Sequence, residues 1–293
     1  MNESEKLSRS KTIQPVASNL SHRWHATRLI YQRDLHNMLW GPSFYIVISF
    51  AMFVAFLLLR NYMDFVGESG LVVLSGAFNF PLFAVIFLAA IFLALTSVTT
   101  IARERDLGTI EALFYGPIDG FSYILGKYMA QIVAYLVMMT VLGSGFWLYT
   151  VATNFTFPNT LGWVILLSIL VTSDVIAFSI FLSALSNRVR SALSVFLIVV
   201  LILLVIQFGQ ELLAVIPLQS HYYNPALFLQ DTLALLAQVV RWFSPFSYLM
   251  QGMEAVRRGE MSSYGLTCLI ASLFTLLFLS LAVITLERKG VRR

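Results

Sequence analysis

Residues 211–258 read ELLAVIPLQSHYYNPALFLQDTLALLAQVVRWFSPFSYLMQGMEAVRR, and whether this stretch crosses a membrane decides the topology of the chain. It is apolar over Leu227–Leu229 and Leu233–Leu236, but Pro217, His221, Asn224-Pro225, Asp231, Arg241 and Pro245 interrupt it. A segment at membrane depth must satisfy its own backbone hydrogen bonds, and prolines at this spacing work against one full spanning helix. The expectation is a pair of short helices that dip into one leaflet, an extracytoplasmic re-entrant hairpin over 217–258.

The rest of the chain supports an even number of spans. Apolar residues make up 58% of it and charged residues 12%, about half the charged share of a soluble domain (roughly 25%). A span needs about 20 mostly apolar residues, and uncharged runs cover 41–59, 69–102, 128–173, 191–210 and 261–286. The third run is long enough for two spans, with Asn154, Pro158 and Asn159 as the dividing turn. Helices are therefore expected near 43–62, 80–102, 121–150, 161–186, 191–215 and 263–286, making an all-α, polytopic membrane protein with six spans over 43–286. Charge fixes the orientation. With six spans, 15 of the 19 Lys and Arg fall on one side, in 1–40, 103–127, 187–190 and 287–293, while the other side keeps Arg60, Arg241, Arg257 and Arg258. The positive side is cytoplasmic, so both termini are expected there, at a cell membrane. A seventh span would carry the basic tail 287–293 across and spoil the asymmetry.

Several chemistries find no support. Cys268 is the single cysteine, which leaves no intrachain disulfide and no metal-type spacing. His22 and His25 lie one turn apart but have no third ligand nearby, so no metal site is expected. No catalytic triad or paired catalytic carboxylates occur, no cofactor is expected on this chain, and the net charge follows topology rather than pointing to nucleic acid. The stretch Gly120 to Tyr128 ends in Gly126-Lys127, yet it has five residues between the glycines and Tyr128 where a phosphate loop needs Ser or Thr. Residues 1–19 are hydrophilic without the apolar core of a signal peptide, and are expected to be a disordered cytoplasmic segment.

Two further segments are not spans. In 20–42, Leu20, Trp24, Tyr31, Leu35 and Met38 recur at roughly helical spacing while Arg23, Arg33 and Asn37 point elsewhere. This suits an interfacial helix with its apolar stripe among lipid headgroups. Residues 103–119 join the second and third spans. Here Leu107, Ile110, Leu113 and Phe114 fall on one side of a helical wheel, opposite Glu104, Gly108 and Glu111, with Gly116-Pro117 ending the helix and Asp119 placed to cap the next. Such a helix can dock in a groove of a partner protein or rest on the membrane. Asp174 is the acid expected deepest in a span; it reads as a substrate or proton site, or, preferred, as a packing acid bonded to Thr172 or Ser173.

The run Glu104-Arg105-Asp106-Leu107-Gly108-Thr109-Ile110-Glu111-Ala112-Leu113, followed by Pro117-Ile118 and Gly126-Lys127, resembles the signature of type-2 ATP-binding-cassette export permeases. Leu182-Ser183-Ala184-Leu185-Ser186-Asn187 is similar to that family's fourth-span ending, and Ser244-Pro245-Phe246-Ser247-Tyr248 with Glu254-Ala255-Val256-Arg257 to the segment before its last span. The resemblance implies a permease subunit, not itself an enzyme, that pairs with a second copy or paralogue. Two separate cytoplasmic ATPase subunits would bind the ATP and Mg. It also implies that 103–119 is a coupling helix, in which Arg103, Glu104, Arg105, Leu107, Gly108, Thr109, Glu111 and Pro117 face the ATPase. The hairpin 217–258 would lid the pathway, and Gln207 and Asp174 are its pathway candidates. Two alternatives keep the architecture: a subunit that transmits force and moves no substrate, and an ion-coupled secondary transporter built on Asp174.

Overall fold

The structure is a computed structural model that describes residues 20–69, 78–110, 119–153, 160–214 and 223–290. The expectations placed on 1–19, Glu111, Pro117, 217–222 and 291–293 lie outside the described residues, as does the side chain of Gln207. All regular structure among the described residues is helical: α1 Leu20–Leu39, α2 Pro42–Ser69, α3 Asn79–Asp106, α4 Gly120–Thr153, α5 Thr160–Leu185, α6 Val189–Ala214, α7 Tyr223–Val240, α8 Pro245–Arg258 and α9 Met261–Gly290. Six of these, α2 to α6 and α9, are long and apolar enough to cross a membrane. The chain is thus an all-helical, multi-pass membrane protein, and among the described residues of 211–258 no further helix is long and apolar enough to cross.

Helix α5 is the axis of the bundle. It packs against α3, α4, α6, α8 and α9, and 67% of its span is buried against 11% for α6. Hydroxyl and small side chains allow that close approach: Ser168, Thr172, Ser179 and Ser183 are all buried. Tyr135 of α4 donates to Ser168 at 2.8 Å, and the Ser183 hydroxyl accepts the N–H groups of Ile101 and Ala102 of α3, each at 3.0 Å. Large apolar groups such as Leu93, Met138, Leu167 and Ile176 fill the spaces between. Helices α2 and α6 flank α3 and leave Phe50, Phe53, Leu197 and Leu201 exposed on their outer faces.

Helices α7 and α8 occupy the stretch expected to form the hairpin. Helix α7 lies along α6, whereas α8 is wedged against α5 and α9 by buried Tyr248, Leu249, Gly252, Ala255 and Val256. Gly252 brings α8 close to α5, since a Cβ there would sit 2.1 Å from Leu167 Cδ2 and make that side chain shift. Pro245 opens α8 in the first turn, where its missing N–H is harmless, and Gly259 ends it with φ at +75°. The turn 241–244 between them satisfies its backbone internally. Arg241 N–H and Ser244 N–H reach Ala237 O and Val240 O at 2.8 Å, and the Tyr248 hydroxyl donates to Trp242 O.

The stripe expected on α1 divides differently. Thr27 and Ile30 form its buried face, and Leu35, Met38 and Leu39 pack against the bundle core rather than facing outward. Trp24 remains exposed. A wheel cannot separate an apolar face that meets protein from one that meets lipid, because both exclude water.

Candidate functional site

One end of the bundle gathers the charges of α1, α3, α4 and α9. Lys127, near the start of α4, is 2% exposed, and its ammonium lies 3.0 Å from Asp34 Oδ2 and 2.9 Å from Glu104 Oε1. Arg33 of α1 completes the set, with Nη2 2.8 Å from Glu104 Oε1 and Nε 2.9 Å from Asp34 Oδ1. The Tyr123 hydroxyl donates to Glu104 Oε2, and the Lys127 ammonium lies 5.0 Å from the centroid of the Tyr123 ring. Two carboxylates thus meet two cations. This balance is what makes a buried ammonium tolerable, because an unpaired one would shed its charge or destabilise the fold. Burial by itself would lower the Arg33 pKa, but its pairs with Asp34 and Glu104 outweigh burial and leave it above the ordinary value.

Gly126 explains how α1 comes close enough to join. A Cβ at this position would stand 2.9 Å from Thr27 O and 3.0 Å from Ile30 Cβ, so only glycine lets the α1 backbone settle on α4. Gly126 and Lys127 therefore act as one device, the first admitting α1 and the second fastening it.

A second fastening lies one residue further along α3. Arg105 Nη1 donates to Ala184 O at 3.0 Å, to Ser186 O at 2.8 Å and to Asn187 Oδ1 at 3.4 Å, and Lys289 of α9 donates to Leu185 O. The last carbonyls of a helix lack intrahelical donors and carry partial negative charge, so two cations suit the end of α5. This gives a physical reason for the Leu182–Asn187 sequence.

The stretch expected to form one amphipathic helix from 103 is divided. Arg103–Asp106 are the last turn of α3. The helix stops at Leu107 and Gly108, whose N–H groups return to Arg103 O and Arg105 O at 3.0 Å, and Gly108 has φ at +69°. That left-handed residue changes the chain direction. Consequently Leu107 and Ile110 do not share a face: Leu107 is 67% exposed and Ile110 only 9%. Thr109 Oγ1 braces the turn by donating to Glu104 O at 3.0 Å.

The predicted site residues therefore part company. Glu104 and Arg105 turn inward and spend their charge within the chain, whereas Arg103, Leu107, Gly108 and Thr109 face outward, joined by Asp106. Asp34, Arg33, Tyr123, Gly126 and Lys127 were missed as site residues. The available signal was a lysine at the edge of an apolar run next to a glycine, with an Arg-Asp pair in α1. Asp174, 1% exposed on α5, is not bonded to Thr172 or Ser173 as expected. Its Oδ1 has no hydrogen-bond partner, and Ser173 is engaged with Tyr128 at 2.5 Å and Thr275 at 3.3 Å. Among the described residues, no group of three His, Cys, Asp or Glu side chains could hold a metal ion.

No curated protein matches the chain. A protein-family model described as "ABC-2 family transporter protein" matches it over residues 6–291. That match runs from before α1 to beyond α9 and includes every charge of the junction. With the six-span bundle, it shows that the chain belongs to the ABC-2 transporter family, the membrane component of ABC transporters that works with ABC ATPase subunits.

Proposed function

We propose that the chain is the permease subunit of an ATP-driven exporter and that the outward turn after α3 receives the motion of a cytoplasmic ATPase. One observation carries the reading: the exposed tip of Arg103, Asp106, Leu107, Gly108 and Thr109 is the free end of a braced unit. Behind it, Lys127 ties α3 to α1 and α4, and Arg105 ties it to the end of α5. A push on the tip is then shared with the axis of the bundle instead of bending a loop, which is what a coupling element must do to bias two states. Arg103, Leu107, Gly108 and Thr109 form the contact surface. Glu104 and Arg105 transmit the load.

The same reading puts both termini and the junction in the cytoplasm of a plasma-membrane protein, with α1 at the interface. It pairs the chain with a second copy or paralogue and two ATPases, and makes the α7–α8 hairpin a lid on the far side. The test is co-purification of the full-length chain with its ATPase after replacing Leu107→Asp and Arg103→Glu together. The expected result is loss of the ATPase with unchanged melting of the permease. Retention of a fully coupled ATPase would overturn the assignment.

A further inference from the structure

Helix α1 stays at one end of the bundle from residue 27 to residue 41. Thr27 and Ile30 rest on Gly126, Asp34 is held by Lys127, and Gly41 hands the chain to the first turn of α2. Gly126 and Lys127 lie near the start of α4, so each of these points is at the level where a span begins. They are spread over about 21 Å of helix, which places the α1 axis along the membrane surface rather than across it.

The two sides of α1 differ in charge. Its 20 residues include Arg23, Arg28 and Arg33, the histidines 22, 25 and 36, and a single acid, Asp34. That acid is turned inward, to Lys127 and Arg33. The side away from the bundle exposes His25, Arg28, Gln32 and His36, so α1 offers donors and positive charge there and no carboxylate of its own. Arg28 takes part in none of the ion pairs among the described residues. Trp24 and Trp40 are exposed near the two ends of the helix, with Leu29 exposed between them. Tryptophan settles at headgroup level because its ring is apolar and its N–H polar. A guanidinium donates two parallel hydrogen bonds to a phosphate, and an anionic headgroup brings no cation of its own to compete for that phosphate.

We propose that the outward side of α1, centred on Arg28 between Trp24 and Trp40, binds the phosphate headgroups of anionic phospholipids, whose acyl chains enter the hydrocarbon layer in their ordinary orientation. The inference rests on the interfacial placing of α1 and names the lipid that this helix selects. The full-length chain is reconstituted in vesicles of equal phosphatidylglycerol and phosphatidylcholine, with bromine on the acyl chains of one lipid or the other. Bromine quenches a tryptophan in contact with it. One form keeps Trp24 alone (Trp40, Trp147, Trp163 and Trp242 each replaced by Phe), and a second keeps Trp147 alone, near the other end of α4. Trp24 should be quenched more strongly when phosphatidylglycerol carries the bromine, and Trp147 equally by both lipids. Arg28→Gln should lower the preference at Trp24 about fivefold, the effect of one cation near an anionic surface, and Arg28→Lys should keep most of it. Native mass spectrometry of the chain with all its tryptophans, wild type against Arg28→Gln, reads the same ratio if a single-tryptophan form fails to fold. Absence of quenching at Trp24 by either lipid would overturn the interfacial placing and the site with it. Equal quenching of Trp24 by both lipids would leave α1 at the interface and overturn the site alone. A preference that survives Arg28→Gln, or that is as strong at Trp147, would likewise overturn it.

Discussion

Lys127 and Arg241 are both cations set among apolar helices, and the chain treats them in opposite ways. Lys127 is enclosed by Asp34, Glu104 and the Tyr123 ring, so every charge at the junction is answered from within. Arg241 stands exposed in the turn between α7 and α8 beside Trp242 and Phe243, and none of the ion pairs among the described residues includes it. The first arrangement is a fastener, whose job is complete in the isolated chain. The second is left open to its surroundings. Burial with compensation reports architecture.

The largest expected effect breaks the closed side of this comparison. Lys127→Met leaves two carboxylates with Arg33 as the one remaining cation of the set. Loss of one member of a buried pair costs about 3–5 kcal/mol, so thermal denaturation in detergent should show a large drop in Tm. Adding Asp34→Asn and Glu104→Gln to Lys127→Met should restore much of it, because what is harmful is the uncompensated charge. If Lys127→Met melts like wild type, the junction is not a fastener.

Next in size is Gly126→Ala. The new methyl must displace Thr27 O or Ile30, and overpacking of this kind costs about 1–3 kcal/mol. The expected signature is faster limited proteolysis within α1 at unchanged helix content by circular dichroism. An unaltered cleavage pattern would show that α1 is held by charge alone.

The smallest effect sharpens the hairpin side. Glu254 is exposed, and its pKa is held below the ordinary carboxylate value, first by the hydrogen bond from Arg257 and then by Arg258. Burial works the other way. A depressed carboxylate contributes stability above its unfolded-state pKa and loses it as pH falls through the lower, folded value. At a water-exposed pair that contribution is slight. Glu254→Gln should therefore leave Tm at neutral pH within the error of replicate melts and slightly reduce its fall on acidification. A large loss would mean that the hairpin relies on its surface charges as the junction relies on its buried ones.

Hydropathy was enough to predict the six spans. Crossing a hydrocarbon layer imposes length and apolarity locally, and Pro217, Pro225 and Pro245 act on their own neighbours. The Glu104–Leu113 motif likewise pointed to the family from contiguous residues. Which members of that motif face outward was not legible, because it depends on contacts remote in sequence. Glu104 meets Arg33, Arg105 meets Ala184, and neither pairing leaves a periodic trace. The left-handed Gly108 then turned Leu107 away from Ile110, which a helical wheel drawn straight through 103–114 could not register.

By itself, then, the sequence determined that this chain carries six membrane-spanning helices, because partition between water and lipid is decided residue by residue. Only the tertiary structure decided that Lys127 is closed in and Arg241 left open. A charge is satisfied by whatever lies within a few ångströms in space, and packing alone brings Asp34, Glu104 and Lys127 to one point.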